Sequence, residues 1–306
     1  MSRRPVAVLG VPWDKGANRP GASLGPAAIR HAGLLSSLKA MKLDVEDRGD
    51  MAFPAREGAS QRAAGGIKNR PEVLRMCADL ASHARRLVSE ETLPLILGGD
   101  HSAAIGSVAG IAGALREKKK KLGIIWVDAH ADINTPSTSP SKNAHGMPVA
   151  HILGMGDKGL ARVGGFAPKV APENFCLIGI RDVDDLERKN LRDSGVRAFS
   201  MHEIDRRGIA AVVDEAISLA GAGTAGFHLS FDIDAVDPRF APGTSVVKDG
   251  GLTVREAHFV MEAAAESGGI VSLEVAEVNP LADVENATAV LACELIESAL
   301  GKRILL

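Results

Sequence analysis

The run LGIIWV at 122–127 is apolar from end to end. Successive side chains on a strand point to opposite faces, so a strand without a polar face must be covered on both. That confines the chain to a sheet sandwiched between other layers, the usual setting of parallel sheets. Further β-rich runs at 5–11, 94–97, 175–180, 226–231 and 270–275, with weaker ones near Asp44 and Val196, are separated by helical patterns at 25–38, 71–89, 209–219, 253–266 and 285–300. Pro26 sits where a first helical turn tolerates proline, and Thr253 with Glu256 forms a capping-box pattern. Strands alternating with helices imply βαβ units, an α/β fold and a mostly parallel sheet. No linker, repeat or break in composition interrupts residues 1–306, which are expected to form one domain with an ample core.

With 36 basic and 38 acidic side chains the net charge is −2, which points to neither nucleic acid nor an anionic membrane as a partner. Cys77, Cys176 and Cys293 are odd in number and far apart, against a disulfide framework and for a reducing, cytoplasmic setting. The apolar run after the first arginines ends at Pro12 and reads as a first strand rather than a signal peptide. No run reaches the roughly 20 apolar residues of a spanning helix. Two stretches invite over-reading. GAGTAG (221–226) matches GxGxxG, but it follows a helix and precedes a strand, the reverse of a dinucleotide fingerprint, and is taken as an αβ loop. Lys118 to Lys121 form a basic run where a helix ends, a position that favours cations.

The chemistry gathers at strand ends. WVDAHADIN (126–134) offers Asp128, His130 and Asp132 at alternate positions, and SFDIDAVDP (230–238) offers Asp232 and Asp234. His101, in GGDHS after the strand PLIL, is a further candidate, and Gly98 and Gly99 suit a tight strand-to-helix turn there. Sites in parallel sheets lie at the carboxyl ends of strands, where all three segments fall. An extended chain would separate Asp128 from Asp132 by roughly 13 Å, so it must curl if both are to serve cations about 3.5–4 Å apart. Four aspartates converging without cations would repel, and some would be protonated. Two divalent ions would neutralise them and keep enough Lewis acidity to ionise a bridging water. Carboxylates and imidazoles without thiolates favour Mn²⁺. Any one segment alone reads as turn or cap residues; the three together do not.

GGDHS, DAHADIN and SFDIDAVDP resemble the three metal-binding signatures of the ureohydrolases, the family of arginase, agmatinase and their relatives. GASLGPAAIRHAGL is similar to the family's opening helix, so the likeness spans essentially the whole chain. The resemblance implies the arginase–deacetylase fold, three αβα layers with a parallel sheet of about eight strands, and two Mn²⁺ per subunit. It implies that His101, Asp128, Asp132 and Asp232 hold one ion and Asp128, His130, Asp232 and Asp234 the other. It further implies that a bridging hydroxide attacks a guanidinium carbon, with Asp132, His145 and Glu277 as catalytic side chains, in a homotrimer or homohexamer.

Within that family, NTPSTSPSKNAHGMP (134–148) resembles the arginase pattern. Carried over, Asn134, Ser141 and Asn143 would meet the α-carboxylate of L-arginine with Ser139 in support, Asp184 the α-amino group and Glu277 the guanidinium, while His145 shuttles protons. A carboxylate in fork geometry suits a guanidinium, and a histidine near neutral pKa suits proton transfer. One stretch departs. In PGTSVVKDGG (242–251) Gly243, Thr244, Gly250 and Gly251 match, but Ser245, Val246, Val247 and Lys248 replace the expected middle. Val246 has no hydroxyl to offer, and Lys248 brings a cation to a region that should receive one. The expected function is a manganese arginase forming L-ornithine and urea. An agmatinase, a guanidino-acid hydrolase and a catalytically silent metal-binding homologue stay open as alternatives. His31, His83, His151, His202 and His258 are read as surface or core residues. His228 shares strand parity with Asp232, which suits packing or support behind the ligands equally.

Overall fold

The computed structural model describes residues 4–53, 66–303 and 305. The apolar runs form β1 (Val6–Gly10), β2 (Val45–Asp50), β3 (Leu93–Leu97), β4 (Gly123–Val127), β5 (Phe175–Ile180), β6 (Arg197–Ser200), β7 (Phe227–Asp232) and β8 (Ile270–Ala276). Among the described residues they make one eight-stranded sheet, in the order β2-β1-β3-β8-β7-β4-β5-β6. Every neighbouring pair is parallel, so the sheet is wholly rather than mostly so.

The alternation of side chains dictates the layers. Val6, Val8, Leu95, Leu97, Ile125 and Val127 pack with Ile29, Leu38, Val212, Val260 and Leu295 on one face. Their neighbours in sequence face the other way. Ala7, Leu9 and Ile96 meet Val73, Met76 and Leu80, and Ile124, Trp126 and Leu177 meet Val108, Ile111 and Leu115. Helices Arg70–Ser89 and Ala104–Glu117 therefore cover one face, and Ile209–Gly221, Val254–Glu266 and Ala287–Ala299 the other. Each fully buried Val, Leu, Ile or Met side chain among them contributes about 1.5–3 kcal/mol.

The Thr253–Glu256 capping box forms as expected. The pattern at 25–38 does not give one helix but two, Gly25–His31 and Leu34–Ala40, because Gly33 adopts φ 98° between them. Gly221 ends a helix and Gly226 leads into β7, so GAGTAG is an αβ loop. Lys118 to Lys121 are exposed just past helix Ala104–Glu117.

What positions the site is the insertion of β7 and β8, late in sequence, between β3 and β4. Leu97, Val275, Phe231 and Val127 pair in one row across these four central strands. The segments leaving them therefore start side by side at the carboxyl edge.

Candidate metal centre and active site

Gly98 and Gly99 follow β3. A Cβ on Gly99 would lie 1.8 Å from the Trp13 carbonyl oxygen, so the turn runs where only backbone fits. Asp100 then caps the short turn His101–Ala103, its carboxylate accepting the N–H groups of Ser102 (3.0 Å) and Gly16 (2.7 Å). The turn sends the His101 ring back over the sheet, where it stacks on Trp126 with centroids 4.0 Å apart. Its Nε2 is 2.8 Å from Ser230 Oγ. Its Nδ1 faces Asp128, Asp132 and Asp232 carboxylate oxygens at 3.2, 3.4 and 3.1 Å.

After β4 the chain curls as the ligand spacing demands. The His130 N–H donates to Asp128 Oδ1 (2.7 Å), and Asp132 takes φ 49°, so Asp128 and Asp132 meet the same ring nitrogen. After β7, Asp232 Oδ1 accepts the Asp234 N–H (2.8 Å). Asp234 Oδ2 lies 3.1 Å and Asp128 Oδ1 3.4 Å from His130 Nδ1. All six residues expected as ligands converge. His101, Asp128 and Asp232 offer one set of donor atoms within 4.8 Å of one another, and Asp128, His130 and Asp234 a second. Asp128 belongs to both.

Charge makes the same point. Burial, then the nearby Asp128 carboxylate, pushes Asp132 well above the usual carboxylate range; burial, then Asp234 and Asp128, does so for Asp232. Burial raises Asp234 against the pull of His130. Burial would raise Asp128, but the neighbouring His101 and His130 outweigh it and lower the carboxyl. Burial opposes charge on His101 and His130, yet the carboxylates around them raise both. Four buried carboxylates with two imidazoles demand further positive charge. His101 Nδ1, buried among three of them, makes no hydrogen bond. Hard oxygen and imidazole donors of this kind fit divalent cations, and the three cysteines are buried and free of disulfides.

Above the cluster opens a cavity of about 270 Å³, lined by all the residues expected to read substrate. Asn134 Nδ2 donates to Asp184 Oδ2 (2.9 Å) while its Oδ1 accepts from Thr138 Oγ1 (2.9 Å). Ser139 Oγ accepts the Lys142 N–H (2.9 Å) and Ser141 Oγ the Asn143 N–H (3.2 Å), which holds the 139–143 turn. Glu277, at φ 62°, has its N–H bound to the Gly99 carbonyl (2.8 Å). Its Oε1 accepts the His101 N–H (2.9 Å) and lies 2.9 Å from His145 Nδ1. Its buried Oε2 has no partner. His145 is thus held by Glu277. Burial works against charge on His145, but Glu277 outweighs it and raises the imidazole above its ordinary value.

The departing loop is placed differently from its sequence reading. Val246 does line the cavity, but the Lys248 ammonium pairs with Asp182 at the rim (3.1 Å). Arg181 explains how the loop is held: its guanidinium donates to the carbonyls of Lys248 (2.8 Å) and Asp234 (2.7 Å). Sequence reasoning missed several supporting groups. Trp126 Nε1 donates to Asp128 Oδ2 (2.9 Å). Glu187, buried and raised to about 7 chiefly by that burial, accepts the N–H groups of Ile133 (2.9 Å) and Asp184 (3.1 Å). Lys68 donates to Asn143 Oδ1 (3.2 Å). Only Trp126, two residues before Asp128 on a strand, carried a readable signal; the others act across long stretches of chain.

A model described as the Arginase family matches residues 4–301. Arginase from Bacillus caldovelox is 42% identical over 302 residues, 99% of this chain and 100% of that protein. Its native structure at pH 5.6 matches with a TM-score of 0.94, covering 99% of this chain and 100% of that one. Arginase from Bacillus subtilis (strain 168) is 43% identical over 302 residues, 99% of each. Arginase from Entamoeba histolytica, solved in complex with L-ornithine, matches with a TM-score of 0.89 at 27% identity, over 99% of this chain and 100% of that one. The wholly parallel eight-stranded sheet covered on both faces is the fold of these neighbours, and the chain belongs to the arginase family.

Proposed function

We propose that this chain hydrolyses L-arginine to L-ornithine and urea. The observation that carries the reading is the cavity itself: it is lined by His101, His130, Asp132, Asp232 and Asp234 together with Glu277, His145, Asn134, Ser141, Asn143 and Asp184. The full-length likeness to arginases, one of them solved with L-ornithine, supports the choice of substrate.

His101, Asp128, Asp132, Asp232, His130 and Asp234 would hold two Mn²⁺, with Asp128 and Asp232 shared. When bound, such a pair acidifies water and supplies a nucleophile near neutral pH. Glu277 keeps Oε2 for the guanidinium while Oε1 is occupied by His101 and His145. His145, its Nδ1 held by that carboxylate, carries a proton toward the leaving amine. Asn134, Ser141 and Asn143 give neutral donors to the α-carboxylate, with Ser139 holding their turn, and Asp184 meets the α-ammonium. The same reading takes residues 1–306 as one catalytic domain in a cytoplasmic homotrimer or homohexamer. Among the described residues no helix is long and apolar enough to cross a membrane.

Urea release from purified, Mn²⁺-loaded protein tests the proposal. L-Arginine should give the highest kcat/KM among arginine, agmatine and guanidino acids, and no urea from any of them sinks the enzyme reading. Asn143→Ala should cost L-arginine at least about tenfold more in kcat/KM than agmatine, since it strips a donor from a group agmatine lacks. Equal losses would mean the carboxylate is read elsewhere.

A further inference from the structure

One row beneath the ligands, the face of the sheet that meets helix Ala104–Glu117 turns polar. Ile96, Glu274, Ser230 and Trp126 pair across β3, β8, β7 and β4. One pair lower, His228 lies opposite Ser272. Glu274, Ser230, His228 and Ser272 have no exposed surface. Ser107, on the covering helix, donates its hydroxyl to Glu274 Oε2. His228 Nε2 faces the same oxygen at 3.5 Å, and His228 Nδ1 lies 2.8 Å from Ser272 Oγ. Glu274 Oε1 has no partner. A carboxylate this deep costs several kcal/mol unless its surroundings compensate, and in this layer most side chains are plain hydrocarbon.

The row above explains why a carboxylate stands there. The atom of His101 that faces Asp128, Asp132 and Asp232 is Nδ1, so for it to serve as a donor to a cation its proton must sit on Nε2. Nε2 then donates to Ser230 Oγ, and the Ser230 hydroxyl has its own proton to give. Glu274 is the register partner of Ser230 on the same face, and its Oε1 is a buried acceptor with no hydrogen-bond partner. Neighbouring strands lie about 4.8 Å apart, which brings side chains paired in this way within reach of one another.

Resting on the metal reading of the proposed function, we infer that Glu274 is a positioning residue: through Ser230 it fixes the His101 tautomer that leaves Nδ1 open toward the carboxylate cluster. Trp126, in the same row, steadies Asp128 in the corresponding way. A histidine ligand whose second nitrogen is tied to a carboxylate is both oriented and made more basic, and loss of such support weakens metal binding about 10–100-fold.

Mn²⁺ titration of metal-free protein, read by the EPR signal of the free ion, tests this. Wild type should take up two equivalents. Glu274→Gln and Ser230→Ala should each weaken one of the two by at least about tenfold, with the melting temperature of the metal-free protein little changed for Ser230→Ala. The double variant should bind no more weakly than the worse single one, as for groups acting in series. Glu274 that merely ties the helix to the sheet would lower the melting temperature and leave both Mn²⁺ affinities within twofold, which overturns the inference. Unchanged affinity in Ser230→Ala overturns it as well, even if Glu274→Gln fails to fold. Wild-type protein that binds no Mn²⁺ removes the metal reading and this role with it; wild type that binds two while its variants match it removes this role alone.

Discussion

Val246 presents a branched hydrocarbon side chain to the cavity. Threonine has nearly the same shape and adds one hydroxyl. Val246→Thr should therefore lower KM for L-arginine a few-fold, the worth of about one hydrogen bond, with kcat little changed. A KM that stays put would show that this position does not touch bound guanidinium. Lys248 asks for no such repair, because Asp182 already takes its charge at the rim. His151 makes a second residue-scale case. Its Nδ1 lies 2.8 Å from the Met147 carbonyl and its Nε2 accepts the Asp157 N–H (3.2 Å), a pattern open only to the neutral ring. Burial lowers its pKa from 6.5 to about 4. The folded value lies below the unfolded one, so this stabilisation is complete above about pH 6.5 and lost as pH falls through 4. The loss is on the order of 3 kcal/mol. Chemical denaturation of wild type and His151→Gln at pH 7 and pH 4.5 should show a smaller pH dependence in the variant, and equal slopes would refute the assignment.

At the scale of elements, the strand-to-helix turn after β3 is the least tolerant part of the site. Gly99→Ala would press a methyl group into the Trp13 carbonyl, a backbone neighbour that cannot rotate away. It should cost at least about 3 kcal/mol and impair Mn²⁺ binding through displaced His101, checked by denaturant melts and by ion titration. A fully stable variant would mean the turn has slack that the packing conceals. These elements also show what the sequence made legible. Apolar strands ending in Asp128, His130, Asp132, Asp232 and Asp234 were readable because strand identity and ligand chemistry are both local. The order of the sheet was not, since pairing of β8 between β3 and β7 joins residues far apart in the chain. Glu274, Arg181 and Glu187 were hidden for the same reason: each acts across the sheet or between loops. The break at Gly33 escaped because the apolar spacing continues straight through it, while only the backbone records the change of direction.

At the scale of the whole molecule, cation binding should be a large contributor to stability. A ligand that binds only the folded state stabilises by about 2.7 kcal/mol at a hundred times its Kd. The cluster draws on three strand ends at once. Removal of metal with a chelator should lower the melting temperature by several degrees, and added Mn²⁺ should restore it; a melting temperature indifferent to both would exclude a cation centre. The sheet order gives this dependence a direction in time. The first two hundred residues can make two separate three-stranded pieces, β2-β1-β3 and β4-β5-β6, with His101 on one and Asp128 on the other. No strand pairing joins them until β7 and β8 arrive. During synthesis from the N-terminus, the two halves wait for the final quarter of the polypeptide, and a nascent chain halted before Phe227 has neither Asp232 nor the strands that close the gap. Tight uptake of metal ions would then mark, on the ribosome, the moment at which the sheet is closed.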